Sequence, residues 1–292
     1  MLVKGSIVAL VTPFHEDGSV NFEKMGELLE FHIANKTDAI LVLGTTGESP
    51  TMTHEEDDSI VKFTLEKVNK RVPVYVGAGS NSTMTMLTYC KKYEAMGADG
   101  LLVITPYYNK TNEEGMYQHF KVVADAVNIP LILYNVPGRT GCKLSYNNVK
   151  RLSEHPNIAA IKEASGDISY FTKIARLASD NFQIYSGNDD MIATAMSLGA
   201  SGVISVVANI LPEETHNLVW SYLNGDIHTA KKIQLQYLDV INNLFIETNP
   251  IPVKAAMNMM GMNVGGYRLP LYEMKDSNKA ILENSLKEAG LI

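Results

Sequence analysis

The sequence predicts an α/β fold, a (β/α)8 TIM barrel followed by a small C-terminal helical extension. Three observations carry this. Eight short apolar runs rich in Val and Ile recur at intervals of about 20 to 34 residues, and they lack the clean alternation of a half-exposed sheet. Helical patterns lie between them, and no Ser/Gly-rich linker interrupts the series. An open doubly wound sheet is the alternative arrangement of the same units.

The first run, SIVALVTPF (6–14), is cut by Thr12-Pro13 and has no small-residue cleavage site, so it reads as a strand and not a signal peptide. AILVLG (39–44), PVYVGAG (73–79), GLLVITP (100–106) and PLILYNVP (130–137) follow. IAAIKEAS (158–165), FQIYSGND (182–189) and GVISVVAN (202–209) complete the set. Between them, Thr53-His54-Glu55-Glu56 has the form of a capping box, which predicts a helix to about Asn69 with Ile60, Val61, Thr64, Leu65 and Val68 on one face. Comparable patterns run from Asn21 to Asn35, Ser82 to Met96, Glu113 to Val127 and Ile168 to Ser179. After residue 224 the strand pattern stops. The expected division is therefore a barrel over residues 1–224 and a helical unit over 225–292, in which Met257, Met259, Met260 and Met262 read as core filler.

Composition narrows the function classes. A net charge of −7 argues against nucleic-acid or anionic-membrane partners, though it leaves room for a local cationic pocket that takes small anions. Two cysteines, Cys90 and Cys142, make no disulfide framework and have no zinc-ligand spacing, as expected of a cytoplasmic enzyme with reduced thiols and no metal. No apolar segment approaches the roughly 18 residues of a membrane span.

In such a barrel the chemistry belongs at the carboxyl ends of the strands. The sixth run ends on Lys162, after a short stretch of small and apolar residues. An ordinary surface lysine snorkels its charge into water. A lysine aimed into a barrel interior is instead desolvated, which favours the neutral amine, a nucleophile that condenses with ketones to a Schiff base. Tyr134 ends the neighbouring strand. It is either a core tyrosine or a proton shuttle for that amine. Thr45 and Thr46 within GTTGES offer hydroxyls and turn N–H groups that suit a small carboxylate, or form an ordinary turn. Tyr107-Tyr108 reads equally as aromatic packing, and Arg139, set among glycines, as a solvated charge or a bidentate carboxylate clamp. GAGSN is not a nucleotide fingerprint, because the GxGxxG spacing is absent.

Taken together, GTTGES, TPYYNK with the later MYQHF, YNVPGRTG, IKEASG, SGND and RLPL span nearly the whole chain. With these motifs the chain closely resembles the dihydrodipicolinate synthases, members of the pyruvate-dependent class I aldolases that include N-acetylneuraminate lyase. The Lys and Tyr mark the superfamily, and YNVPGRTG with Arg139 points to the synthases. The resemblance implies condensation of pyruvate with L-aspartate 4-semialdehyde in lysine and diaminopimelate biosynthesis, with no cofactor beyond a covalent imine on Lys162. It implies Tyr134 as proton donor and acceptor, in a relay with Thr45 and with a Tyr108 that crosses from a neighbouring subunit of a homotetramer, a dimer of dimers. It places Thr46 on the pyruvate carboxylate, the Ile204 backbone along the same pocket, Arg139 on the aldehyde's carboxylate and Gly187 where close approach is needed.

The same resemblance matches Ser49, His54, Asn81 and Tyr107 to a lysine feedback site. Asp57 and Thr85 stand where lysine-sensitive members carry a His and a Glu, which predicts weak or absent lysine inhibition. The competing expectations are a sister lyase acting on a sugar-derived keto acid, and a barrel that binds a keto acid without turnover.

Overall fold

The computed structural model describes residues 2–292. Eight parallel strands close into a barrel in chain order: β1 Gly5–Ala9, β2 Ala39–Val42, β3 Val74–Gly77, β4 Gly100–Ile104, β5 Leu131–Asn135, β6 Ile158–Glu163, β7 Gln183–Ser186 and β8 Gly202–Ser205. Seven lie inside predicted runs, and β1 begins one residue before its run, at Gly5. The pairing of β8 with β1 excludes the open sheet. The seam depends on glycine at both sides: Gly5 and Gly202 are register partners at φ +131° and +155°, and a Cβ on Gly202 would sit 1.9 Å from the Gly5 carbonyl oxygen. The apolar runs extend past the strands at their carboxyl ends because the first loop residues there are buried too, as at Leu43, Val136 and Val206.

Two apolar layers follow from the two-residue period of a strand. Ile7, Leu41, Leu102, Ile132, Tyr134, Ala160 and Ile204 pack together inside the barrel. Val8, Ile40, Val103, Leu133, Ile161 and Val203 face outward, against Leu29, Ile60, Phe120, Ile174 and other helical side chains. The helix His54–Val68 has the predicted capping box, Thr53 Oγ1 accepting from the Glu56 N–H while the Glu56 carboxylate accepts from the Thr53 N–H. Such a cap contributes about 1 kcal/mol. The helices Phe22–Ala34 and Thr83–Met96 lie within a residue of expectation, whereas Glu113–Ala124 and Ile168–Ala175 end three to four residues early, in turns.

Beyond residue 224 the chain is helical, with Ile227–Gln236, Leu238–Asn243, Ile251–Met259 and Asp276–Glu288. This segment reaches back to the barrel's carboxyl end, where Phe14 N–H donates to the Val264 carbonyl at 3.1 Å. Among the described residues no helix is long and apolar enough to cross a membrane.

Candidate active site

The residues that sequence reasoning selects on β5 and β6 are direct register partners, Tyr134 opposite Lys162. Ile132 and Ala160 point into the barrel, so Tyr134 and Lys162, two residues further on, share that direction. Lys162 is 6% exposed, and its Nζ lies 4.6 Å from the centre of the Tyr134 ring. On the other side β7 ends in Ser186-Gly187. A Cβ on Gly187 would stand 3.0 Å from Lys162 Cε and 2.6 Å from Ala164 Cβ, so only glycine leaves the lysine stem its path. Ile204 on β8 is buried in the same interior cluster.

The partners one residue on, Asn135 and Glu163, face outward and fix the register. Asn135 Nδ2 donates to Glu163 Oε2 at 2.6 Å, Ser165 N–H donates to Oε1 at 2.7 Å, and Leu144 N–H donates to Asn135 Oδ1 at 3.0 Å. Burial raises the Glu163 carboxyl, and these hydrogen bonds oppose the shift.

Thr45 and Thr46 form a single 3₁₀ turn after β2, closed by Glu48 at φ +58°. Thr46 Oγ1 accepts a hydrogen bond from Asn249 Nδ2 at 2.9 Å, which leaves its own proton free to donate. Arg139, exposed on the short helix Pro137–Thr140, donates to the Asn249 carbonyl at 2.9 Å. One asparagine thus ties the two expected carboxylate binders together. Beneath the turn lies a buried ion pair. Lys254 Nζ donates to Glu48 Oε1 at 2.8 Å and to the Thr12 carbonyl at 3.0 Å, with both side chains fully buried. Desolvation lowers the Lys254 ammonium, and Glu48 opposes the shift. Arg268 packs over Phe14 and forms a bidentate pair with Glu56 at 2.7 and 2.6 Å.

Asp189 closes the far side. Its Oδ2 accepts from the Val206 and Val207 N–H groups at 2.9 and 2.8 Å, directly after β8. Burial raises its carboxyl, the two N–H groups lower it, and the charge of Lys162 lowers it further.

The remaining predicted residues divide. Thr45, Ser49, Tyr107 and Tyr134 border one cavity of about 120 Å³ with Asp57. His54 lies apart, its Nδ1 2.6 Å from the Tyr89 hydroxyl, and the Asn81 carbonyl accepts from Asn109 at 3.0 Å. Tyr108 projects from the loop at φ +68°, 91% exposed, so a single chain does not bring it to Tyr134. A larger cavity of about 780 Å³ opens at the opposite mouth, beside Leu2, Asn157 and Gln183, and contains none of the predicted residues. Among the described residues no group of three or more His, Cys, Asp or Glu could hold a metal ion.

Sequence reasoning missed Glu48, Asp189, Asn249 and Lys254, and it singled out Asp57 only as a departure at the feedback site. Lys254 carried a usable signal, a single ammonium inside the apolar stretch IPVKAAM, the same kind of signal that marked Lys162.

Comparison with known proteins bears on the fold and the family. The model of the dihydrodipicolinate synthetase family matches residues 2–289. A 4-hydroxy-tetrahydrodipicolinate synthase of Clostridium perfringens is 56% identical over 291 residues, covering all of both chains. The crystal structure of dihydrodipicolinate synthase from Aquifex aeolicus superimposes with a TM-score of 0.96 at 45% identity, covering 99% of this chain and 98% of its own. A solved monomeric dihydrodipicolinate synthase variant gives 0.96 at 40% identity, with the same coverage. The chain belongs to the dihydrodipicolinate synthetase family.

Proposed function

We propose that this chain is a 4-hydroxy-tetrahydrodipicolinate synthase, a lyase of the Schiff-base aldolase type that condenses pyruvate with L-aspartate 4-semialdehyde in lysine and diaminopimelate biosynthesis. The observation that carries it is the register pairing of Tyr134 with Lys162 inside the barrel, in a chain 56% identical to a curated synthase over its whole length. Lys162 attacks the pyruvate ketone and forms an imine, which withdraws electrons from the methyl group. Tyr134 takes a methyl proton, the resulting enamine carbon attacks the aldehyde, and the substrate's own amine closes the ring and displaces Lys162. Thr46 and its neighbouring N–H groups bind the pyruvate carboxylate, and Arg139 binds the carboxylate of the aldehyde. Thr45 passes protons from Tyr134. No metal or organic cofactor enters this scheme. An assay of pyruvate with aspartate semialdehyde, run beside pyruvate with an amino-sugar aldehyde, tests the reading. Turnover of the first is expected, and turnover of the second alone would replace it with the sister lyase.

Tyr108, 91% exposed, supports a homotetramer in which this ring completes a neighbour's relay. Sedimentation velocity tests this, and a monomer with full turnover would contradict it. The Ser49, His54, Asn81 and Tyr107 set, with Asp57 and Thr85 in place of a His and a Glu, supports weak or absent inhibition by lysine. Inhibition at micromolar lysine would overturn that. A cytoplasmic location fits free metabolites as substrates and the two cysteines, which are unpaired with one another.

A further inference from the structure

The proposed condensation has a proton to dispose of. A ketone and a primary ammonium that become a neutral ring imine yield one water, whose oxygen is the ketone's, and one proton. That proton leaves the substrate nitrogen, whose N–H electron pair goes into the new C–N bond while Lys162 departs as a neutral amine. Tyr134 and Thr45 can pass the proton along, but each ends the turnover in its starting state, so the proton needs a destination.

The cavity of about 120 Å³ beside Tyr134 and Thr45 has one such group on its wall, Asp57. Asp57 is 5% exposed on the helix His54–Val68. Its Oδ2 makes only a long contact of 3.5 Å with the Ser49 hydroxyl, and its Oδ1 has no partner among the described residues. An ionised carboxylate in that state is costly to bury. Glu56 and Asp58 flank it on its own helix. From the helix Thr83–Met96 it is faced by Tyr89, Tyr93 and Lys92, whose ammonium is already bound to Asp58 at 2.7 Å. From the loop after β4 comes Tyr107. Burial, reinforced by Asp58 and Glu56 and opposed by Ser49 and Lys92, pushes the Asp57 carboxyl up to about 7. The cavity has room for more than one water, and the hydroxyls of Thr45, Ser49, Tyr107 and Tyr134 with the Asp57 carboxyl would give waters there the partners that proton transfer across it requires.

We propose that Asp57 is the proton reservoir of this active site, taking the proton shed at ring closure from Tyr134 and Thr45 through the cavity and releasing it to bulk water. It acts through those residues and does not touch substrate. The proposal rests on the condensation reading, and the test separates the two. Borohydride trapping of pyruvate is measured first. No trapping in the unaltered protein strikes the condensation reading itself. With trapping intact, kcat is followed against pH for the unaltered protein, Asp57→Asn and Asp57→His, with circular dichroism at each pH. The unaltered protein should gain activity through an inflection near pH 7. Asp57→Asn should trap pyruvate to the same extent but lose roughly tenfold or more in kcat and lose the inflection. Asp57→His should restore most of the rate with its inflection moved toward acid. An Asp57→Asn profile that superimposes on the unaltered one overturns the proposal, as does a loss that Asp57→His fails to restore. If Asp57→Asn does not fold, the displaced or undisplaced inflection of Asp57→His decides alone.

Discussion

Two lysines are buried in this molecule, and they are treated in opposite ways. Lys254, fully buried under the GTTGES turn, has its charge answered by Glu48 and by the Thr12 carbonyl. Lys162, 6% exposed in the barrel, has no carboxylate within salt-bridge distance among the described residues and stands against the face of a tyrosine ring. A buried ammonium whose partners are complete is part of the scaffold, because removing either partner strands a charge. An amine that no carboxylate contacts has its nitrogen open to a carbonyl carbon. Burial alone therefore does not mark a reactive lysine. The difference lies in what surrounds the nitrogen.

The strongest way to break the contrast is at Lys162. Lys162→Ala should lower kcat by roughly 10³-fold or more, since the covalent route is lost, while urea unfolding shows little loss of stability. Tyr134→Phe keeps the ring beside the lysine and removes the hydroxyl, so kcat should fall about 10²–10⁴-fold with the circular dichroism spectrum unchanged.

Lys254→Met inverts the pattern. It strands Glu48, and urea unfolding should show a loss of about 3–5 kcal/mol. Activity should fall through displacement of Thr46, seen mainly as a higher KM for pyruvate. The double variant Glu48→Leu, Lys254→Met should recover most of the stability, because a buried pair replaced by apolar groups is close to neutral. If the double variant is no more stable than the single one, the pair is not the structural unit described here.

A smaller effect sharpens the comparison from the carboxylate side. Asp57 has its folded-state carboxyl raised from 3.8 to about 7. A raised group contributes its stability fully below the unfolded value and loses it as pH rises through the folded one. Between pH 4 and pH 8 the unaltered protein should therefore lose on the order of 1–4 kcal/mol that Asp57→Asn keeps, so the variant's relative stability should grow with pH. Urea titrations at pH 5 and pH 8 measure this, and an equal gap at both would show that Asp57 is ionised without cost.

The barrel was legible because its signal is local: each strand is a short apolar run, and the count of eight with intervening helices leaves few closures. Lys162, Tyr134 and Thr46 were legible for a related reason, since a polar side chain at the end of such a run needs a purpose. The supports of the site were not. Lys254 and Glu48 are 206 residues apart in the chain, and Asn249 and Thr46 are 203 apart. Nothing near either member announces the other, so only the closed barrel brings them together. Asp57 was legible only as a departure from lysine-sensitive relatives, and its place on the wall of the cavity beside Thr45 and Tyr134 required the fold.

Everything proposed for this site turns on Lys162 being the amine that bonds to substrate. Incubation with pyruvate, reduction with borohydride, and peptide mapping by mass spectrometry test it directly. One reduced pyruvyl group per chain on the peptide containing Lys162, absent when pyruvate is withheld, is the predicted result. An unmodified chain, or a modification on Lys254 or a surface lysine instead, would contradict it.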